Sequence, residues 1–297
     1  MRKLVYQNPG ELFIEKFGVP RDIDDVIRYA DFLREEAGVG DWPAIDLTRI
    51  FERFGIQSHR VPLVDQQGSS DGLLGFMLIK EDDSEARQRF SEAHELIELL
   101  FYEYKQRPEW EKSVFAASKK IKERACQKGA AALVMPRSSF VPAMLERGFS
   151  FNGASALAAV YGTSLLATIY RMLDEYEDER LLVVWRLALK PTEVVSGGQA
   201  GLAGNEAAAG PDAAAGPQRK LRIWWAARSV GARNDFIPAH QSAAEDSVVA
   251  RCYGCGERLS GSERFWLKGI DGRYQVEAKK VNIGGELCVL SLLQRFP

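Results

Sequence analysis

RFSEAHELIELLF, residues 89–101, is the stretch on which the reading of this chain turns. Drawn as a helix, it is apolar on every side: Phe90, Ala93, Leu96, Ile97, Leu99, Leu100 and Phe101 leave no continuous polar stripe. A helix of that kind belongs in the middle of a core. Yet it carries His94, Glu95 and Glu98. Residues at i and i+4 share a helix face, so His94 and Glu98 converge on one point. Glu95 lies about 100 degrees round, beside that point. Burying such groups without partners costs several kcal/mol, on the order of 2–7 for each. A divalent cation held among them offsets that cost; the plainer reading is a hydrogen-bonded core histidine.

In HExxH helices two histidines hold zinc and the glutamate serves as general base. Here Glu98 takes the place of the second histidine, and a carboxylate oxygen is an accepted zinc ligand. The chain has 3 histidines in all, and neither His59 nor His240 is near this helix in sequence.

Upstream, Ile23, Val26, Ile27, Ala30 and Leu33 recur at helical spacing. A second helix follows Asp46 as N-cap, buries Leu47, Ile50, Phe51 and Phe54, and stops at Gly55. Strands are expected at Ile56–Val64 and Leu73–Ile79, the latter flanked by Gly72 and interrupted by Gly75, which suggests close approach of another backbone. Downstream, a helix is expected over about 121–134. Residues 153–173 read as helix, turn at Gly162, N-cap Ser164, helix. The acidic tail after Arg171 argues against phosphate contact by that element. Residues 196–219 are nearly all Ala, Gly and Pro with a few polar residues and read as a flexible linker. They divide an N-terminal domain, 1–195, from a C-terminal module, 220–297. That module has expected strands or short helix at Leu221–Trp225, Phe265–Lys268, Tyr274–Ala278 and Leu287–Leu293. Cys252 and Cys255 form a CxxC that reads as a knuckle-like or hairpin turn; Cys288 and His240 are candidates to complete a second zinc site, at irregular spacing and with no second CxxC.

The totals set bounds. The chain has 297 residues, 46% hydrophobic and 27% charged, with formal net charge -2, the balance of a core-forming globular protein. A basic excess that would favour nucleic acid is missing. No apolar run approaches the roughly 18 residues of a membrane span, and no apolar segment follows the early cations of a secretory signal. The 4 cysteines are too few for a disulfide scaffold, and a cytosolic protein is expected.

Three blocks carry a resemblance. RQRFSEAHELIELLF (87–101) resembles the RxRFTxAHExGHxxLH segment of the ImmA/IrrE family of metallo-endopeptidases. KERACQKGAAALVMPRSSF (122–140) is similar to that family's ExxANxFAAxLLMPxxxF, and LAAVYGTSLLATIYRML (157–173) to its LAxxFxVSxxAxxxRL. IDLTRIFERFGIQ and DGLLGFMLI fit its N-terminal part, so the resemblance spans roughly residues 20 to 180. It implies an α+β, zincin-like metalloprotease domain with a helix-turn-helix-like helical segment, followed here by the linker and a small α+β module. Carried over residue by residue, His94 is the first metal ligand, Glu95 the catalytic general base, Glu98 stands where the second ligand histidine belongs, and Glu123 is the distal ligand. The implied metal is zinc, with manganese or iron competing because the ligands are rich in oxygen. The implied substrate is a helix-turn-helix repressor whose cleavage answers stress, phage or mobile-element signals; its strand is expected to add to Leu73–Ile79. Departures are Glu98, Gln127 for Asn and Gly129 for Phe. Glu98 keeps a second reading open, a catalytically degenerate module that grips a repressor or toxin. A third, DNA binding through 153–173, is disfavoured by charge.

Overall fold

The computed structural model describes residues 5–190, 219–232 and 236–296. By contact the chain divides into two compact units: Met1–Gly148 with Asn152–Arg171, and Phe149–Phe151 with Met172–Pro297. Each combines helices with one sheet.

The first unit is built on the expected central helix. Helices α1 (Pro9–Phe17), α2 (Ile23–Glu36) and α3 (Leu47–Phe54) precede strands β1 (Gln57–Val61), β2 (Gly68–Asp71) and β3 (Phe76–Lys80); then comes α4 (Glu85–Tyr104). Local chemistry sets several boundaries. Asp22 caps α2 by accepting from the Asp25 N–H, and Asp46 caps α3 by accepting from the Thr48 N–H. Gly55, left-handed at φ 68°, ends α3 as its sequence implied. Along α4, Ala93, Leu96, Ile97, Leu100 and Phe101 are fully buried. Each such side chain contributes about 1.5–3 kcal/mol of transfer free energy where fully apolar and large. After a short α5 (Val114–Ala117), α6 (Lys119–Val134) packs on both α2 and α4. Gly129 makes that possible: a Cβ there would lie 3.0 Å from Val26 Cγ1 and 3.1 Å from Ile97 Cδ1. The helix-propensity cost of an internal glycine is thus tied to close packing. Helices α7 (Arg137–Arg147), α8 (Phe151–Tyr161) and α9 (Leu165–Glu175) follow. The last two bend by 107° at their break, and Arg171 is buried with Nε donating to the Met135 carbonyl.

Gly10 is the closest helix contact. A Cβ at that position would sit 2.6 Å from the Leu99 carbonyl oxygen and 2.7 Å from Leu100 Cα. Backbone cannot yield as a side chain can, so Gly10→Ala is expected to lower stability by about 2 kcal/mol. A denaturant midpoint equal to wild type would show that α1 does not dock on α4 this tightly.

The small sheet has order β1-β3-β2. β3 runs parallel to β1 and antiparallel to β2. Two expectations change. Leu73 and Leu74 lie in the exposed turn before β3. And β3 is the central strand with both edges paired, so no further strand can add to it; the edges are β1 and β2.

The second unit contains β4 (Arg180–Ala188), β5 (Lys220–Arg228), α10 (Val248–Cys255), β6 (Leu259–Leu267), β7 (Ile270–Ile283) and β8 (Glu286–Arg295). The strands form an antiparallel sheet of order β5-β4-β8-β7-β6. Trp185, Ile223, Val249, Phe265, Tyr274 and Val289 are among its buried core. β4 precedes the 196–219 stretch yet sits inside this sheet, so the division falls within α9 rather than at residue 195. The expected linker itself lies outside the described residues apart from Arg219. The CxxC is also relocated: Cys252 and Cys255 lie on α10, whose N-cap Ser247 accepts from the Ala250 N–H. Cys252 is buried in the core and Cys255 exposed, so they form part of a helix and not a knuckle. Among the described residues no single helix is long and apolar enough to cross a membrane.

Candidate metal centre

Helices α4 and α6 each present ionisable side chains to the other. From α4 come His94 and Glu98, one turn apart. From α6 come Lys122, Glu123 and Cys126, which fall within one turn of each other. His94 Nε2 lies 3.8 Å from Glu98 Oε1 and 3.9 Å from Glu123 Oε1. Both expected carboxylates therefore approach His94, one from each helix. Two further residues, which the sequence reading did not single out, complete the cluster. Lys122 Nζ donates to Glu98 Oε1 at 2.6 Å and also to its Oε2. The Cys126 thiol donates to Glu98 Oε1 at 3.2 Å. His94 Nε2 or Nδ1, a Glu98 oxygen and Cys126 Sγ all lie within 4.8 Å of one another.

Exposure differs across the cluster. Glu98 and Lys122 are 21% and 16% exposed and Glu123 47%, whereas Cys126 is fully buried. Burial pushes the Glu98 carboxyl upward, but Lys122's hydrogen bonds and charge, the Cys126 thiol and His94 outweigh it, and the group lies below its ordinary range. Burial, with Glu98 alongside, holds the Cys126 thiol far above its ordinary value. Glu123 Oε1 accepts from Gln127 Nε2 at 3.2 Å.

Glu95 faces a different neighbour. It is buried, and its Oε2 accepts from the Ser70 hydroxyl at 2.7 Å. Gly68, at the start of β2, leaves room for it: a Cβ there would come within 3.0 Å of Glu95 Oε1. Burial raises the Glu95 carboxyl above its ordinary range, with the Ser70 hydrogen bond and His94 drawing it part of the way back. A base tuned upward in this way holds a proton better at neutral pH.

The donor set suits a divalent cation. Bonds of about 2.0–2.2 Å from imidazole and carboxylate place tetrahedral ligand atoms about 3.3–3.6 Å apart. The observed 3.8 and 3.9 Å from His94 to the two carboxylates lie a few tenths of an ångström outside that range. Lys122 is the unusual member, because its ammonium already neutralises Glu98. A cavity of about 690 Å³ between α3 and β1, lined in part by Phe51, Ser58, Arg60 and Glu92, shares no residue with this cluster. The second cysteine site expected as a possibility has no counterpart: among the described residues His94, Glu98 and Cys126 are the one group of three or more such donors.

Residues 51–173 match a family model described as the IrrE N-terminal-like domain, peptidase M78. Among solved structures, a Mycobacterium tuberculosis transcriptional regulator is similar, with TM-score 0.58 and 12% identity over 97% of this chain and 80% of that one. At that identity the likeness is one of fold. No curated protein matches.

Proposed function

With residues 51–173 forming an IrrE N-terminal-like domain of the ImmA/IrrE family, we propose that the chain is a zincin-like, metal-dependent endopeptidase that cleaves a helix-turn-helix transcriptional repressor. The observation that carries the reading is the approach of Glu98 and Glu123 to His94 from two packed helices, with buried Glu95 next to His94 in the chain. His94 Nε2 and the two carboxylates would hold the cation, zinc first, with manganese or iron as competitors for oxygen ligands. When bound, the cation supplies Lewis acidity toward a peptide carbonyl and toward water. Glu95 takes up the proton of the attacking water and delivers it to the leaving amine. Ser70 fixes the carboxylate that does so.

The substrate strand adds to β2, which has one edge paired with β3 and carries Ser70 next to Glu95. This replaces Leu73–Ile79 as the docking edge and sets the scissile bond beside the base. The fold likeness to a transcriptional regulator fits a regulatory protease answering stress or mobile-element signals. Direct DNA contact is no part of the proposal, because Arg171 on α9 is buried against Met135. We place the protein in the cytosol, where its four free cysteines stay reduced.

A second reading, a degenerate module that grips a repressor or toxin, is favoured by one observation: the Lys122 ammonium already sits on Glu98. Elemental analysis of the full chain separates the two. The protease reading expects about one metal per chain, lost in His94→Ala, together with cleavage of a co-encoded repressor. Empty wild type that fills on Glu98→His would establish the degenerate module.

A further inference from the structure

Glu98 and Cys126 are the two positions at which the cluster departs from the motifs quoted above, which have His and Ala there. The departures meet in space: Cys126 Sγ is 3.2 Å from Glu98 Oε1. Cys126 is fully buried on the side of α6 that faces α4. Its sulfur, His94 and Glu98 form a group within 4.8 Å. Glu123, in contrast, is half-exposed and shares its inner oxygen with Gln127.

We propose that Cys126 is a ligand of this centre, making its inner donor set His94, Glu98 and Cys126, with Glu123 as the outer fourth. The inference rests on the metal reading of the site. On binding, the Cys126 S–H bond breaks, its proton leaves to solvent, and a sulfur lone pair bonds to the cation; nothing is oxidised or reduced. Charge supports the set. Two carboxylates and one thiolate bring three negative charges; a divalent cation and the Lys122 ammonium bring three positive ones. Lys122, bonded to both oxygens of Glu98, compensates that carboxylate while the site is empty. A sulfur donor also changes selectivity. Thiolate favours zinc and cobalt over manganese and magnesium, which prefer oxygen.

The test is titration of the metal-free full chain with cobalt(II), followed in the visible d–d bands and in the near-ultraviolet thiolate-to-cobalt band. Wild type is expected to show both. Cys126→Ala, which restores the motif residue, and Cys126→Ser are expected to keep the visible bands, lose the near-ultraviolet band and bind zinc at least about tenfold more weakly. Cys255→Ala, altering the exposed cysteine, is expected to match wild type. Visible bands in wild type without the near-ultraviolet band would overturn the assignment while leaving a metal centre in place. A near-ultraviolet band that survives in Cys126→Ala would also overturn it. No cobalt spectrum at all would remove the metal reading together with this one.

Discussion

Glu95→Gln is expected to reduce repressor cleavage by about a hundred- to ten-thousand-fold, the usual contribution of a positioned general base, and to leave metal content unchanged. The carboxamide keeps the size of the side chain and can still accept from Ser70, so the fold and the β2 contact survive. It cannot take up a proton. A companion variant tests how the base is tuned. Burial raises the Glu95 carboxyl, and the Ser70 hydroxyl, which donates to its ionised form, draws it back. Ser70→Ala removes that donor, so the carboxyl rises further. The ionised form is the active one; the acid limb of the kcat/KM profile should therefore move to higher pH, with the plateau retained. Loss of metal in Glu95→Gln would make Glu95 a ligand and not a base. Undiminished cleavage would sink the assignment outright.

What could be read in sequence, and what could not, follows from the range of the interactions. The burial of α4 was legible because Phe90 to Phe101 leaves no polar stripe, and the limits of α3 because Asp46 and Gly55 are local capping devices. His94 and Glu98 came from helix spacing and Glu123 from the family motifs, and the structure sets each carboxylate within 3.9 Å of His94. Strand β2 was not legible: Gly68-Ser-Ser-Asp71 has no apolar alternation and is a strand only because β3 lies beside it. The central place of β3 was equally hidden, since strand order is fixed by tertiary pairing. For β4, a conspicuous Ala/Gly/Pro stretch suggested a boundary at 195, while its strand partners lie on the far side of that stretch. Lys122 and Cys126 were missed for a different reason. Cys126 lies three residues from Glu123 and four from Lys122 on α6, a local fact that helix spacing could have exposed. Their bonding to Glu98, 24 and 28 residues away, depends on how two helices meet.

Lys122→Met is expected to have opposite effects in the absence and presence of metal. Without metal, it strands the Glu98 carboxylate between α4 and α6. Losing one partner of a buried pair costs about 3–5 kcal/mol; with both side chains about a fifth exposed, solvent screening reduces the expectation to about 2 kcal/mol at pH 7. The pH dependence has a definite sign. Lys122 helps hold the Glu98 carboxyl below its ordinary range, so the pair's stability is present above the unfolded-state pKa and lost as pH falls through the lower folded value. The gap between wild type and variant should accordingly be widest near neutrality and close in acid, once Glu98 is protonated in both. With zinc added, the order of effects reverses. A divalent cation and an ammonium about 5 Å apart repel by about 7 kcal/mol at an effective dielectric constant of 20, and removing the ammonium relieves that repulsion. Zinc should therefore raise the melting temperature of Lys122→Met by more than it raises that of wild type. Equal zinc shifts in the two proteins would mean that the cation does not share Glu98 with Lys122. A variant as stable as wild type in chelator would mean that the ion pair contributes nothing to the α4–α6 contact.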